Sequence, residues 1–485
     1  MSLLENSLPN NFIDLIKLAL ERINEWVNSR LFFNVFTHLD ADGLTSGGIF
    51  SCILKHLEVP FKVRVLNQLT IDVISNLNLR EDNVAIFIDF GSGQKSSLDK
   101  FLKVPYMIID HHQPQGEFKN NDRVIEVNPH YFGINGSIEI SSSGLAYLLV
   151  RNFSGNFIFL SPIAIVGALG DRQDCGDKSS LIGINKLIVD EAVMSGFLDV
   201  KIGLKLFGFE YRPIVKSIEY TIDPVIIGLS GNFNACMTFL KNIGIPPVDE
   251  NGIFRRASDM SSDEIRKLIV EIIKYMLSHG FSSNVVESII GTTYILTREN
   301  SDSCLRDARE FSSILNACGR MGFPSYGLAL CMGIRGNVLR KAFEISNEYR
   351  KEISRMLNWF DMNKDKLLSY PNVYSIDTEN NVDERLLSTF LSIISTRAFL
   401  SNKPVLGFVL TKNNSIKVSC RANQNLVNKG INLGLAARLA AEAVGGSGGG
   451  HHMAAGAEIP YNSKEKFLKA FDEIIGKQIS CGKYE

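Results

Sequence analysis

Closely paired cysteines are missing from this chain. Eight cysteines, at 52, 175, 236, 304, 318, 331, 420 and 481, are scattered through 485 residues without one C-x-x-C pair. That spacing argues against structural zinc and fits buried thiols in a reducing, cytoplasmic setting. A dominant charge is missing too. Fifty-one Lys+Arg stand against 52 Asp+Glu, a net charge of −1, which excludes a wholly basic DNA-coating protein but not a local basic groove. No membrane span is legible. The longest apolar stretch, Phe157 to Gly170, contains Ser161 and Pro162 and falls short of the roughly 20 residues a crossing helix needs. The first 26 residues set Glu5, Asp14, Lys17 and Glu21 among apolar positions, so they read as an amphipathic helix and not as a signal peptide. No internal repeat of fixed period is found.

What is present is globular. With 45% hydrophobic and 21% charged residues, the chain has ample material for a core and is not disordered as a whole. At roughly 150 residues per domain it suggests about three units. From 31 to about 200, short apolar runs alternate with helical periodicity. Leu31–Thr37, Phe61–Leu66, Val84–Phe90, Pro105–Asp110 and Asp122–Val127 read as strands, and Leu44–Leu57 and Ser143–Asn152 as helices. That alternation predicts an α/β lobe with a mainly parallel, doubly covered sheet.

The middle, 201–345, loses the rhythm. It holds a helix at Ser262–Ser278, opened by Ser261 and Ser262 with Asp263 and Glu264 in the first turn, and a helical pattern at Leu305–Met321. Asn337–Lys364 is long, charged and helically periodic, a connector. From about 370 a second α/β unit follows: strands at Val373–Ile376, Val405–Leu410 and Ser415–Cys420, helices at Leu386–Phe399 and Asn432–Ala443, a glycine-rich turn at 445–450, and a last helix at Lys464–Ile475. The expected organisation is a first lobe at 1–200, an inserted mixed α/β region at 201–345, a connector helix at 346–369 and a smaller α/β lobe at 370–485.

The chemistry gathers after the apolar runs of the first lobe. His38-Leu39-Asp40-Ala41-Asp42-Gly43 follows Leu31–Thr37, Asp89-Phe90-Gly91 follows Val84–Ile88, Asp110-His111-His112 follows Met107–Ile109, and Gly170-Asp171 closes the run Ile163–Leu169. Ligands of an open parallel sheet collect outside the carboxyl ends of its strands, so these groups can converge. Crowded aspartates repel unless something positive sits among them, and mixed carboxylate–imidazole donors suit manganese better than calcium or structural zinc. A carboxylate bridging two ions about 3.5–4 Å apart makes a two-metal hydrolytic site. Each piece alone has a plainer reading: a solvated D-x-D turn, a D-H-H surface loop, or Asp89 and Asp171 as helix caps.

The last lobe carries Gly445-Gly446-Ser447-Gly448-Gly449-Gly450-His451-His452. Glycines without Cβ let backbone N–H groups approach phosphate oxygens, and His451 adds a donor; a flexible linker is the alternative. Alternation on Ser415–Cys420 puts Lys417, Ser419 and Arg421 on one face. Arg421 can fork onto a phosphate or carboxylate, or be a solvated strand-edge arginine. On Leu305–Met321, Arg306, Asp307, Arg309, Glu310, Asn316, Gly319 and Arg320 read either as local salt links or as groups that position a substrate or partner.

Together these motifs resemble the DHH phosphoesterase superfamily, named for the motif seen here as Asp110-His111-His112. Gly448-Gly449-Gly450-His451 with Ala454-Ala455-Gly456 resembles its DHHA1 substrate-binding domain. Ser217-Ile218-Glu219-Tyr220-Thr221-Ile222-Asp223-Pro224, Asp307-Ala308-Arg309-Glu310-Phe311 and Asn316-Ala317-Cys318-Gly319-Arg320 are similar to archaeal RecJ-like proteins, including the GINS-associated nuclease. The resemblance implies that His38 and Asp40 hold one metal and Asp42, His111 and Asp171 the other, with Asp89 bridging. It places His112 at the scissile phosphate and Asp110 as the group orienting the histidines. Ser419, Arg421, Gly448, Gly449, Gly450 and His451 would hold the released nucleotide.

The implied activity is trimming of single-stranded DNA or RNA to mononucleotides with two divalent cations, manganese or magnesium, in replication or repair. GINS and other replicative-helicase components are the implied partners of the insert. Because the chain ends soon after the glycine motif, no OB-like domain of the kind bacterial RecJ adds to grip long strands is expected; that favours a partner-assisted or short-substrate enzyme, and the near-zero charge points the same way. Hydrolysis of short oligonucleotides or cyclic dinucleotides is the alternative enzyme. A non-catalytic replication scaffold is the third reading, although such relatives lose the metal ligands kept here.

Overall fold

The computed structural model describes residues 7–481 except 119, 152, 154–156, 380 and 412–413, so Glu5 and the expected helix end at Asn152 lie outside the described residues. Runs rich in Val, Ile and Phe build the first sheet, and all but the edge run Phe61–Leu66, where Lys62 and Arg64 alternate with apolar residues, are covered on both faces. β1 (Phe32–His38), β2 (Phe61–Leu66), β3 (Asn83–Ile88), β4 (Tyr106–Ile109) and β5 (Val124–Val127) pair in parallel in the order β2-β1-β3-β4-β5. The chain leaves β1 for β2 on one side and returns to β3 on the other. The gap between β1 and β3 is therefore a topological switch point, where open α/β sheets bind ligands.

One face of this sheet packs on helices α1 (Asn10–Asn28), α2 (Ala41–His56), α3 (Ser142–Arg151) and α4 (Ser161–Gly170), through Val35, Ile86 and Ile109 among others. The other face carries Phe36, Phe87 and Ile108 into a smaller cluster with Leu98 and Leu102. The run Ile163–Leu169 lies in α4, a helix buried all round from Ser161 to Leu169. Asp171 therefore follows a helix and not a strand. A helix with no solvent face has no polar stripe, so periodicity could not distinguish it from a buried strand. The expected strand at Val84–Phe90 stops at Ile88, because Asp89 takes a left-handed φ of +67° that no strand continues.

In the middle, Ser261 opens α5 (Ser262–Ser278) with a reciprocal capping box: its hydroxyl accepts the Glu264 N–H while Glu264 accepts the Ser261 N–H. β6 (Leu198–Leu204) and β7 (Ile290–Leu296) form an antiparallel pair. The helical pattern around 305–321 is α6 (Ala308–Arg320), capped by Asp307, which accepts the N–H groups of Arg309 and Glu310. Its charges are not local links. Arg309 donates to Asp174 at 2.6 Å and to the carbonyls of Ser179 and Thr292, and Glu310 pairs with Arg212. The long periodic segment forms α7 (Asn337–Met362).

Cα proximity divides the chain into Met1–Ser217, Arg256–Ser258 and Ile290–Tyr349 as one compact unit, and Ile218–Arg255, Asp259–Ile289 and Arg350–Glu485 as another. The second unit contains a six-stranded sheet in the order β12-β13-β11-β10-β9-β8, from β8 (Leu367–Ser369), β9 (Tyr374–Asp377), β10 (Val405–Leu410), β11 (Ser415–Arg421), β12 (Ser447–Gly450) and β13 (Ala454–Pro460). Only the β9–β10 pair is parallel. The helix Leu387–Ile394 and helices α8 (Leu433–Glu442) and α9 (Lys464–Cys481) pack on it.

The glycine-rich segment expected as a turn is largely strand β12, and its glycines serve close packing. A Cβ on Gly448 would lie 2.5 Å from the Ala437 carbonyl oxygen of α8, and one on Gly434 of α8 would lie 2.1 Å from the Gly450 carbonyl oxygen. Gly434→Ala is accordingly expected to destabilise the protein by roughly 1–3 kcal/mol, the cost of overpacking. A urea denaturation midpoint equal to that of the wild type would contradict this account.

Candidate metal centre

β1 delivers His38 at its carboxyl end, and two residues later Asp40 is the N-cap of α2, its Oδ1 accepting the Gly43 N–H at 3.0 Å. The turn is tight enough to require glycine: a Cβ at Gly43 would lie 2.3 Å from the His38 carbonyl oxygen. Asp40 Oδ2 lies 3.0 Å from His38 Nδ1. Asp42, the second residue of α2, meets the N-terminus of α3, where the N–H groups of Ser142 and Ser143 donate to its two oxygens at 2.8 and 3.0 Å. Free N–H groups and a positive dipole end favour a carboxylate there.

Asp89 stands at the switch point. Its N–H donates to the Ile109 carbonyl at 2.9 Å, which holds the left-handed conformation. Its oxygens face two histidines: Oδ2 is 3.5 Å from His38 Nδ1 and Oδ1 is 3.4 Å from His111 Nε2. His111 Nε2 is also 3.6 Å from Asp171 Oδ2 and 3.9 Å from Asp42 Oδ2. The other ring nitrogen, Nδ1, lies 2.7 Å from the Gly136 carbonyl. A carbonyl only accepts, so Nδ1 carries a proton and the neutral ring presents its Nε2 lone pair to the pocket. Asp110 accepts from Ser92 N–H at 3.0 Å and from His112 Nδ1 at 2.8 Å. Asp110 thus orients His112, while His111 takes its orientation from Gly136.

These residues suit a divalent cation. His38, Asp40 and Asp89 form one group of donors within 4.8 Å of one another, Asp42, His111 and Asp171 a second, and Asp89, His111 and His112 a third. Donors held about 2.0–2.2 Å from an ion sit roughly 3–4 Å apart, the range seen around His111 Nε2. Among the described residues, Asp89 Oδ1 and His111 Nε2 are also buried with no hydrogen-bond partner, which a folded protein tolerates when another group satisfies them.

The charges need such a group. Burial, and then the Asp89 charge, push the Asp42 carboxyl up to about 7, and burial raises Asp171. Burial also pushes Asp89 and Asp110 upward, but the histidines outweigh it and hold Asp89 well below the usual range and Asp110 below it. Burial opposes protonation of His38 and His111, yet their aspartate neighbours raise both well above an ordinary imidazole.

The second unit places Ser419 and Arg421 on β11. Register runs Ser419–Gly456–Gly449, so Ser419 and Gly449 share a sheet face two strands apart, and a Cβ on Gly449 would meet open space. Gly448 and the Gly450 carbonyl instead pack on α8. His451 lies in the β12–β13 connection, its N–H donating to the Ala454 carbonyl at 2.8 Å. Arg421 is held by the hydroxyls of Ser388, Ser392 and Ser419 and by the Cys420 carbonyl.

Several contributors were not read from the sequence as part of a site's support. Ser142 and Ser143 hold Asp42 by backbone atoms, which any residue supplies. Asn316 of α6 accepts the Ala41 N–H at 3.0 Å, between Asp40 and Asp42. Ser388 and Ser392 stand one helical turn apart, a spacing that could have marked them as a pair facing β11.

A pH dependence follows. Because the folded pKa of Asp42 is raised from 3.8 to about 7, its contribution to metal-free stability is full below the lower value and is lost as pH rises through the upper one. Cation binding needs the ionised form, so its sign is opposite. The rise in melting temperature caused by Mn2+ is expected to grow from about pH 6 to about pH 8. Equal shifts at both pH values, read by scanning calorimetry, would count against Asp42 as a ligand.

Comparison with known proteins matches the same segments. Residues 33–167 match the DHH family, N-terminal domain, 206–290 the DHH-CID domain and 374–477 the DHHA1 domain. An uncharacterized protein of Methanocaldococcus jannaschii is 32% identical over 473 residues, spanning 95% of this chain and 98% of that protein. Among solved structures, CDC45 from Entamoeba histolytica has a TM-score of 0.63 at 13% identity, covering 95% of this chain and 99% of that one. RecJ from Thermus thermophilus in complex with Mn2+ has a TM-score of 0.57 at 16% identity, covering 97% of this chain and 55% of that one. At these identities the likeness is one of fold. Among the described residues no helix is long and apolar enough to cross a membrane. With its parallel DHH sheet, DHH-CID segment and DHHA1 sheet, the chain belongs to the DHH superfamily, and its fold is similar to that of RecJ.

Proposed function

We propose that this protein is a metal-dependent exonuclease that hydrolyses single-stranded DNA or RNA to mononucleotides. The observation that carries the reading is the convergence of His38, Asp40, Asp42, Asp89, His111 and Asp171 into two donor groups, with Asp89 turning one oxygen toward each histidine. In this reading His38, Asp40 and Asp89 hold one divalent cation and Asp42, His111 and Asp171 the other, with Asp89 shared. Manganese is preferred for the mixed oxygen and imidazole donors, and magnesium is the substitute. When bound, such a pair lowers the pKa of water and offsets the charge that develops on a phosphoryl group in displacement.

The remaining work falls to the chain's own groups. The α3 N-terminus keeps Asp42 aimed inward. Asp110 fixes the His112 ring through Nδ1, which suits His112 to meet the scissile phosphate as a hydrogen-bond donor. Ser419 and Arg421 are proposed to bind the nucleotide to be released, Arg421 exchanging serine hydroxyls for phosphate oxygens in a charge-assisted fork. The bare backbone of Gly449 on the same face lets the ligand approach closely, with Gly448, Gly450 and His451 completing that edge. The DHH-CID segment is the proposed attachment for a protein partner such as GINS or another replicative-helicase component, in cytoplasmic replication or repair. The full ligand set speaks for an enzyme over a scaffold.

The test uses full-length protein, Mn2+, and single-stranded DNA and RNA labelled separately at each end. Immediate release of a labelled mononucleotide is expected, and Asp89→Ala is expected to abolish it while the metal-free thermal melt stays cooperative. Hydrolysis retained by Asp89→Ala would sink the assignment. A rate that collapses on substrates longer than a few nucleotides would replace it with a short-oligonucleotide or cyclic-dinucleotide phosphodiesterase.

A further inference from the structure

Gln173 is fully buried and lies between two of the candidate ligands. It gets there through the way α4 ends. Asp171 N–H bonds back to Gly167, Arg172 takes φ +58°, and the N–H groups of Arg172 and Gln173 return to the carbonyls of Leu169 and Ala168 at 3.1 and 3.0 Å. This is a Schellman-type closure with arginine in the left-handed position usually given to glycine. The reversal directs Gln173 back into the lobe.

Four polar atoms surround its amide nitrogen. Gln173 Nε2 is 2.9 Å from Asp171 Oδ2, 2.9 Å from the Gly136 carbonyl, 3.2 Å from His111 Nδ1 and 3.4 Å from the Ile140 carbonyl. An amide nitrogen has two protons. His111 Nδ1 is itself a donor to Gly136 and cannot accept, so the short bonds are those to Asp171 and Gly136. One amide therefore ties the Asp171 carboxylate to the carbonyl that sets the His111 tautomer. Its direction is fixed from behind: Asn185, also buried, donates from Nδ2 to Gln173 Oε1 at 2.6 Å. A flipped amide would face its oxygen to a carboxylate and a carbonyl. His38 and Asp40, by contrast, are held by each other and by Gly43 N–H.

We infer that Gln173, oriented by Asn185, is a positioning residue for the Asp42–His111–Asp171 half of the metal centre and not for the His38–Asp40 half. The inference rests on the two-ion reading above. The experiment is an electron paramagnetic resonance titration of free Mn2+ against full-length wild type, Gln173→Leu and Asn185→Ser. Wild type is expected to hold two ions. In each variant one ion is expected to weaken by about 10–100-fold, as when a group supporting a metal ligand is removed, while the other keeps its affinity. If Gln173→Leu does not fold, Asn185→Ser, which leaves Gln173 in place, decides. Two ions bound as in wild type by a folded variant, or equal weakening of both, would overturn the role of Gln173. A wild type that holds fewer than two ions would instead overturn the reading beneath it.

Discussion

The structure is organised around carboxylates that cannot all be charged without help. Asp42 and Asp89, 1% and 3% exposed, belong to donor groups shared with Asp171, His38 and His111, and Asp110, 1% exposed, lies behind His112. Removing such groups from water penalises their charge, and crowding penalises it again. Positive charge must come from somewhere. In the metal-free chain it comes from raised histidine pKa values and from the N–H groups opening α3. A divalent cation meets the same demand more fully, which is why the pocket that is costly for a bare protein is suited to phosphoester chemistry.

Much of the first unit serves to keep those groups from relaxing apart. The switch point between β1 and β3 brings His38 and Asp89 to neighbouring strand ends. Asp89 is held in an uncommon backbone conformation by a bond to the next strand, so its two oxygens face different histidines. Behind the His38–Asp42 turn stands α6. Asn316 takes the Ala41 N–H, and Gly319 lies so close that a Cβ would fall 1.8 Å from the Leu39 carbonyl oxygen. Arg309 in turn fastens α6 to Asp174, three residues beyond Asp171. Ligand loops and their supports thus form one hydrogen-bonded body.

The candidate ligands were legible because they occur as short runs of chemically unusual residues after apolar stretches. His38-x-Asp40-x-Asp42 and Asp110-His111-His112 declare themselves without neighbours. The element preceding Asp171 was not legible, since α4 has no solvent face to impose a 3.6-residue period. Arg309 and Glu310 looked like local salt links, because partners 135 and 98 residues away leave no trace in spacing. The glycines at 448–450 suggested a loop, whereas small residues were required where β12 and α8 touch.

By itself the sequence determined the two α/β lobes, the residue types of the candidate metal centre and the family, because hydrophobic pattern and motif chemistry are local properties of a chain. Tertiary structure alone decided which oxygen faces which histidine, which helix end neutralises Asp42, and which amide joins Asp171 to His111. Those depend on directed hydrogen bonds a few ångströms long between segments far apart in sequence, and such directions exist only once the backbone has been folded around them.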